Sequence, residues 1–302
     1  MEVLRYTSAS EFLGATESFR KSDPIRTGLI TSIANSVASG SRTYEGYFWW
    51  AVIEDGEVKG IAIRTLPFGY VFSPMALEVA KDLFEKIRVE DSSANEFAGP
   101  RDVIDYLEAI AQIPALESES ELIYENRELI PSLKIGTVRL ATHSDFDLIF
   151  KWMGEFINET GLRDFNLEGI VRGALQENRY YLLIVDGEPV SLGGRSPIQS
   201  FDGFSIGRVG PIYTPRVYRK KGYASAITSE ITQILIYEGA TPTLYTQAEN
   251  PTSNKIYQDL GYRFVAENRR IVLVSATEGV YAPSGVTPEV AVEHIAAIDK
   301  EL

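Results

Sequence analysis

The stretch covering residues 210–230, GPIYTPRVYRKKGYASAITSE, constrains the fold of this chain more than any other. It begins as an apolar segment, passes Pro215, turns through a basic loop at 219–222 and continues as an amphipathic helix. This order predicts a strand, a tight loop and a helix N-terminus. Backbone N–H groups, the helix dipole and the lysine charges then converge on one point, which suits a phosphate or pyrophosphate. Gly222 would let the main chain approach that group closely, because it carries no Cβ.

A basic glycine turn before a helix is also common as a solvated connection, so the specific residues of the loop are needed to decide between the two interpretations. Arg219-x-x-Gly222-x-Ala224, preceded by the strand residues 212–214, resembles the acyl-CoA-binding loop of the GCN5-related N-acetyltransferases (GNAT). In that family the loop holds the CoA pyrophosphate, and the preceding strand pairs its backbone with the pantetheine arm. The resemblance implies the same roles here.

A second segment, residues 250–262, resembles the other signature of the family, N-x-x-A-x-x-x-Y-x-x-x-G-F/Y. Ser253 replaces the usual alanine and Tyr262 the usual phenylalanine. The two signatures occur in the family's order, separated by one predicted helix and one predicted strand. The resemblance implies an acetyl-CoA site, without a metal, whose contacts come from the following residues: Ile212, Tyr213, Thr214, Arg219, Lys220, Lys221, Gly222, Tyr223, Ala224, Ser225, Asn250, Asn254 and Tyr257.

Several of these residues also have purely structural interpretations. Tyr257 matches the family tyrosine that gives a proton to the departing thiolate, and a phenol with a pKa near 10 is protonated at neutral pH. A tyrosine on an amphipathic helix is equally suited to packing. Asn250 precedes Pro251 and is a standard helix N-cap, and Ser225 could be an ordinary first-turn residue.

The general base is not assigned by the sequence. Many relatives carry a glutamate on the strand before the phosphate loop, whereas residues 207–210 here read GRVG. Glu249, at the predicted sheet edge, and Glu155, with its neighbour Glu159, are candidates that could act directly or through water. Each could also be a solvated surface charge, and direct attack by a neutral amine stays open. Arg208 could pair with an acidic group of the acceptor or form a salt bridge.

Composition excludes several other classes of function. The net charge of −13 argues against a nucleic-acid partner, which requires a basic face. The absence of cysteine excludes disulfides and thiol catalysis, and two histidines leave little for a zinc cluster or a histidine-based triad. No apolar run of membrane-spanning length or basic leader is present, so a cytoplasmic protein without a membrane partner, monomeric or homodimeric, is expected.

The chain is expected to contain two similar halves. Its 302 residues suggest two domains. A hairpin with an Asp-Gly turn occurs at 55–56 and again at 186–187, in segments offset by 131 residues, which favours an internal duplication over chance recurrence. No Arg-x-x-Gly-x-Ala follows the first hairpin, and the corresponding region, residues 95–100, has acidic neighbours. We therefore predict a degenerate GNAT-like lobe at 1–130, a catalytic GNAT domain at 131–275 and a C-terminal loop and helix at 276–302.

The predicted fold class is α/β (α+β), with tandem lobes that each contain a mixed, mostly antiparallel sheet flanked by helices. The predicted function is transfer of an acetyl group from acetyl-CoA directly to a primary amine of a small molecule or peptide. The alternative is a sensory or structural module that binds CoA with little or no turnover. A nucleotide-phosphate enzyme is disfavoured, because the chain contains no Gly-x-x-x-x-Gly-Lys-Ser/Thr or Gly-x-Gly-x-x-Gly sequence.

Overall fold

The computed structural model describes residues 1–161, 166–201 and 203–274. The predicted C-terminal loop and helix lie outside these residues. The strands are β1 Glu2–Tyr6, β2 Tyr47–Glu54, β3 Glu57–Thr65, β4 Tyr70–Phe72, β5 Glu96–Pro100, β6 Ala115–Asn126, β7 Thr137–Leu140, β8 Tyr180–Val185, β9 Glu188–Arg195, β10 Gln199–Phe201, β11 Phe204–Tyr213, β12 Thr241–Gln247 and β13 Tyr262–Leu273. The helices are α1 Ala9–Ala15, α2 Glu17–Ser22, α3 Gly28–Ala38, α4 Leu77–Glu90, α5 Arg101–Ala111, α6 Phe146–Thr160, α7 Leu167–Gln176, α8 Tyr223–Tyr237 and α9 Pro251–Asp259.

The two halves repeat the same order of elements. Each begins with a strand and a group of helices, continues with a hairpin and a further strand, and ends with helix, strand, helix, strand; the second half adds the short β10 before β11. Both predicted hairpins are confirmed, because Asp55-Gly56 joins β2 to β3 and Asp186-Gly187 joins β8 to β9. All four turn residues have positive φ, the backbone that Asp-Gly favours in a two-residue hairpin.

The thirteen strands of the described residues form one sheet, in the order β1-β2-β3-β4-β5-β13-β6-β12-β11-β9-β8-β7, with β10 paired to β11. Most neighbours are antiparallel, and β4–β5 and β11–β12 are the parallel pairs. The predicted fold class, a mixed, mostly antiparallel sheet flanked by helices, is confirmed. The expectation that residues 95–100 correspond to the phosphate loop is wrong. Residues 96–100 form β5, and the loop in the equivalent place is 73–76, between β4 and α4.

The halves exchange their last strands. β6, from the first half, pairs with β12 of the second half, whereas β13, from the second half, pairs with β5 of the first. β6 and β13 also pair with each other along their full length. The chain therefore crosses twice at the centre of the sheet. A division of the chain at residue 130 stays a prediction, and both lobes contain a strand from the other side of it.

Helices cover both faces of the second half. α8 and α9 pack on one face, where Leu183, Val209 and Leu244 contribute to the core. α6 and α7 pack on the other face, where Leu182 and Tyr213 contribute. The helical stripes and the alternation of side chains along the strands account for this division. No helix in the described ranges has the length and apolar character to cross a membrane.

Candidate active site

The second half contains an opening in its sheet. β11 and β12 pair at Ile206, Gly207 and Arg208, and the pairing ends at Arg208 opposite Thr243. On its other side β11 pairs with β9, and the register shifts between Val209 and Ile212. β11 therefore bends away from β12 after Arg208. Backbone groups in the two diverging strands are left facing a gap that an extended ligand can enter.

The predicted loop lies where β11 ends and α8 begins. Gly222 is the N-cap of α8, with φ 79°, and no side chain caps the helix. The first N–H groups of a helix have no partner within it, so those of α8 are available to an anion. Lys220 also has positive φ, and Lys220 and Lys221 are exposed. Tyr223, Ala224 and Ser225, in the first turn, are half-buried.

Arg219 makes contacts within the protein. Its Nε donates to the carbonyl oxygen of Thr214 (2.8 Å), and its Nη2 donates to Glu159 Oε2 (2.6 Å). Glu159, at the end of α6, also pairs with Arg216. The Arg219 hydrogen bond and charge, followed by those of Arg216, hold the pKa of the Glu159 carboxyl below its ordinary value against the effect of burial. An acidic side chain thus neutralises part of the basic loop, which sequence reasoning did not find.

The strand residues expected to contact the pantetheine arm already form some hydrogen bonds within the protein. Ile212 and Tyr213 pair with Gly193 and Leu192 of β9, the strand on the far side from the gap. Thr214 Oγ1 lies 2.8 Å from Ser191 Oγ. Backbone groups on alternate residues of a strand point to opposite neighbours, so the remaining groups of this segment face the gap.

The second predicted signature forms the start of α9. Asn250 is the N-cap of this helix, with Oδ1 accepting from the Ser253 N–H (3.1 Å), and so its structural interpretation is confirmed. Asn254 Nδ2 donates to the carbonyl oxygens of Gln247 and Ala248 and fixes the connection from β12. Among the described residues, no group donates to Asn254 Oδ1, although this atom is buried. It is a free acceptor beside the end of β12.

Tyr257 lies half-buried against the core formed with α8, with its ring 6.1 Å from that of Tyr262. Burial raises its pKa to about 12, and a hydrogen bond with Ser253 acts in the opposite direction. The phenol therefore keeps its proton at neutral pH, as a general acid requires. The same burial is also consistent with a role for Tyr257 in packing alone.

The candidate bases are not brought to Tyr257. Glu249 is exposed, in the turn before α9. Glu155 lies on α6, where its Oε2 accepts from the Tyr213 hydroxyl (2.9 Å), on the face of the sheet opposite to Tyr257. Burial and the Glu155 hydrogen bond raise the pKa of Tyr213 to about 12. Glu155 thus holds Tyr213 in place, and the roles of Glu155 and Glu249 as bases stay predictions.

Arg208 does not form a salt bridge in the described part of the chain, contrary to its ordinary interpretation. Its guanidinium lies 5.1 Å from the centre of the Tyr245 ring. Both side chains lie on the sheet face opposite to α8, together with Ile206 and Thr243. This polar surface, at the closed end of the β11–β12 gap, could not be located from the sequence, because it depends on the register of three strands.

Comparisons with known proteins agree with this geometry. Residues 204–271 match the model of the family described as FR47-like protein. An acetyltransferase from the GNAT family of Colwellia psychrerythraea is 12% identical with a TM-score of 0.57, covering 91% of this chain and 100% of that one. A GCN5-related N-acetyltransferase from Sphaerobacter thermophilus is 12% identical with a TM-score of 0.59, covering 90% and 96%.

A tandem GNAT protein from the clavulanic acid biosynthesis pathway is 10% identical with a TM-score of 0.57, covering 94% of this chain and 100% of that one. No curated protein sequence matches the chain. The described residues thus have the tandem GNAT fold, and the match to the family model covers the segment that contains β11, the basic loop, α8 and α9.

Proposed function

We propose that this protein is an N-acetyltransferase that moves the acetyl group of acetyl-CoA directly to a primary amine of a small molecule or peptide. The observation that carries the proposal is the end of the β11–β12 pairing at Arg208 and Thr243, followed along the chain by the uncapped N-terminus of α8. One extended ligand with a diphosphate at one end and a thioester at the other matches both features.

The residues of the loop bind the diphosphate. The N–H groups that follow Gly222 donate to its oxygens, and Lys220 and Lys221 supply positive charge. A side chain at position 222 would meet Ile135 Cδ1 at 3.2 Å from its Cβ, in a left-handed backbone that favours glycine. The position therefore has both conformational and spatial reasons to be glycine.

The transfer itself requires one proton to leave the amine and one to reach the sulfur. A neutral amine nitrogen attacks the thioester carbonyl, the new C–N bond forms, and the C–S bond breaks. Tyr257 donates its phenolic proton to the departing sulfur, and the surplus proton of the amide nitrogen passes to solvent and restores the phenol. The raised pKa of Tyr257 keeps this proton in place until the sulfur develops negative charge.

A second candidate, a module that binds CoA with little turnover, is favoured by the ion pair between Arg219 and Glu159. That pair occupies the arginine of the loop, and residues 207–210 contain no carboxylate. Binding and turnover distinguish the two candidates.

The experiment combines calorimetric titration with CoA and measurement of thiol release from acetyl-CoA. Acceptors are a panel of primary amines, including spermidine, tyramine, L-lysine and glycinamide. Saturable CoA binding with amine-dependent thiol release supports the transferase. Tight CoA binding without thiol release for any acceptor supports the module, and no CoA binding rejects both.

A further inference from the structure

Glu121 occupies an unusual place in the sheet of the second half. It lies on β6, the strand contributed by the first half, opposite Gln247 at the end of β12. β12 lies between β6 and the gap beside β11. Neighbouring paired strands are spaced by about 4.8 Å, so Glu121 begins one strand spacing from β12, the strand that borders the gap, and its side chain can reach a substrate amine there.

The orientation of Glu121 follows from its neighbours. Leu122 and Tyr124 pack into the core under α8, whereas Ile123 packs with Ile206 on the other face. Side chains alternate along a strand, so Glu121 shares the face of Ile123. This is the face on which Arg208 and Tyr245 lie.

First-half residues and the end of α6 border this part of the face. Gly28, at the start of α3, contacts β11 and β12, because a Cβ there would lie 3.1 Å from Ile206 Cδ1 and 3.9 Å from the Tyr245 hydroxyl. Gln247 Nε2 donates to the carbonyl oxygen of Thr160 at the end of α6 (3.0 Å). Glu121 therefore lies where the two halves meet beside the gap.

The Glu121 carboxylate is half-buried, and no residue in the described ranges gives it a hydrogen bond or an ion pair. A partly buried carboxylate without a partner is costly to ionise, so such a position is poorly explained by stability alone. Burial raises its pKa to about 7, opposed by the charge of Arg208 and assisted by that of Glu119.

The other groups around Glu121 do not compete for this role. Tyr245 is held neutral at pH 7 by burial, which raises its pKa to about 12. β13 places Asn268 directly opposite Glu121. Arg270, two residues further along β13, is paired with three carboxylates, those of Glu96, Glu117 and Glu119. α3 carries no titratable side chain, and Glu159 of α6 is paired with Arg219.

We propose that Glu121, a residue of the first half, is the general base of the transfer and recognises the acceptor as a primary ammonium ion. This inference rests on the proposed function. The ionised carboxylate takes one proton from R–NH₃⁺, the neutral nitrogen attacks the thioester, and the proton held by Glu121 then passes to solvent. The residue acts in trans between the halves, because strand exchange places β6 in the sheet of the other lobe.

The test compares Glu121→Gln with a control variant, Glu119→Gln. Glu119 lies two residues away on the same face of β6, and its side chain is 54% exposed. CoA affinity is measured by calorimetry, and kcat/KM is measured between pH 5.5 and 9.5 with acetyl-CoA and the best amine of the panel. Wild type should show a rising limb with its midpoint at about pH 7 and a plateau at higher pH. Glu119→Gln should show the same limb at slightly lower pH, because the charge of Glu119 raises the pKa of Glu121. Glu121→Gln should lose about 100-fold or more in kcat/KM at pH 7.

The Glu121→Gln variant should instead gain rate with pH up to the pKa of the amine, because solution deprotonation then supplies the neutral nucleophile. Its CoA affinity should stay within about twofold of wild type, since the change is remote from the loop. Wild-type turnover together with an unchanged rate and pH profile for Glu121→Gln overturns the role of Glu121 and leaves the transferase intact. Absence of CoA binding or of thiol release in wild type overturns the transferase itself.

A measurement without substrate gives a second readout. Glu121 has a higher pKa in the folded protein than in the unfolded chain. Such a carboxyl contributes its full stability only at pH values below the unfolded pKa, and this contribution is lost as pH rises through the folded pKa. Glu121→Gln should therefore raise Tm more at pH 8 than at pH 4. An equal or opposite effect at the two pH values contradicts a buried, unpaired carboxylate at this position.

Discussion

Each half of the sheet contains one parallel pair of strands, β4–β5 in the first half and β11–β12 in the second, and the two pairs differ in where their pairing ends. Phe97 of β5 lies opposite Ile271, and Leu244 of β12 lies opposite Tyr124. Ile271 and Tyr124 are each the third residue from the end of an exchanged strand, β13 or β6, so Phe97 and Leu244 are equivalent positions in the two halves. β4 is paired with β5 at Phe97. β11 has already left β12 before Leu244. The same topology is therefore closed in the first half and open in the second.

Aromatic packing accounts for the closed state. The ring of Phe97 lies 6.2 Å from that of Tyr70 and 6.3 Å from that of Phe72, and all three side chains are buried. In the loop that follows β4, Met75 packs against Gly60, and residues 73–76 include neither a glycine nor a basic residue. The fold alone therefore does not provide the proposed ligand site, which depends on the local sequence between β11 and α8.

The largest expected effect concerns the stability of the closed half. Arg64 Nη1 donates to Asp91 Oδ2 (2.6 Å) in a buried pair that Tyr70 joins (3.0 Å). Arg64→Ala should lower the free energy of unfolding by about 3–5 kcal/mol, because it leaves a buried carboxylate unpaired. Urea denaturation followed by circular dichroism measures this. Lys81→Ala, which removes an exposed ion pair, should change it by less than about 0.5 kcal/mol.

The same titration tests whether the halves are independent. Since β6 and β13 are exchanged, we expect a single transition in which CoA binding and secondary structure are lost together. Two separate transitions, with CoA binding intact after the first, would contradict this coupling.

The pH dependence of stability in the first half follows from Asp91. Hydrogen bonds from Ser93 and Arg64 outweigh burial and hold the pKa of the Asp91 carboxyl below its ordinary value. The stability that this carboxylate supplies is therefore lost only as pH falls through the lowered pKa.

The same substitution at two equivalent helix N-caps, Gly222 of α8 and Ala76 of α4, tests the proposed site in the second half. Gly222→Asp should weaken CoA binding by about 100-fold or more, because a carboxylate would face the diphosphate at close range. Gly222→Asn, which also tolerates the left-handed backbone, separates charge from shape and should weaken binding less. Ala76 is the exposed N-cap of α4, and Ala76→Asp should leave CoA affinity unchanged. Calorimetric CoA affinities that are equal for wild type and Gly222→Asp would remove the loop from the site.

The tyrosine on α9 should affect turnover more than binding. Tyr257→Phe removes the proton that the sulfur requires, and we expect kcat to fall by about 10- to 100-fold while CoA affinity changes by less than about twofold. Tyr106→Phe, on the corresponding helix α5, should leave kcat unchanged. Steady-state thiol release measures both, and an unaltered kcat for Tyr257→Phe would leave packing as the role of this ring.

The smallest expected effect is at the ion pair beside the loop. Glu159→Gln releases Arg219, and CoA affinity should rise by about two- to fivefold, because a surface pair contributes up to about 1 kcal/mol. Glu168→Gln removes another exposed pair, with Arg172, and should have no effect on binding. Weaker binding by Glu159→Gln, measured at low and high salt, would show instead that the pair positions the loop.

Local features of the site could be read from local sequence. The Asp-Gly turns, the N-cap of Asn250 and the αL N-cap at Gly222 each depend on a few adjacent residues and on backbone preferences that those residues carry with them. The first-half counterpart of the phosphate loop was predicted wrongly at 95–100, because nothing in the sequence of residues 73–76 marks them as the equivalent loop; only the position of β4 in the sheet does.

By itself, then, the sequence determined part of the elements, both hairpins, the tandem mixed fold class and the basic loop before α8, since these follow from side-chain periodicity, turn chemistry and the family signatures. Only the tertiary structure decided that β6 and β13 change places, that β11 leaves β12 after Arg208, and that Glu159 meets Arg219. Strand partners and charge pairs join residues far apart in the chain, and their choice depends on the free energy of the whole sheet rather than on any one segment.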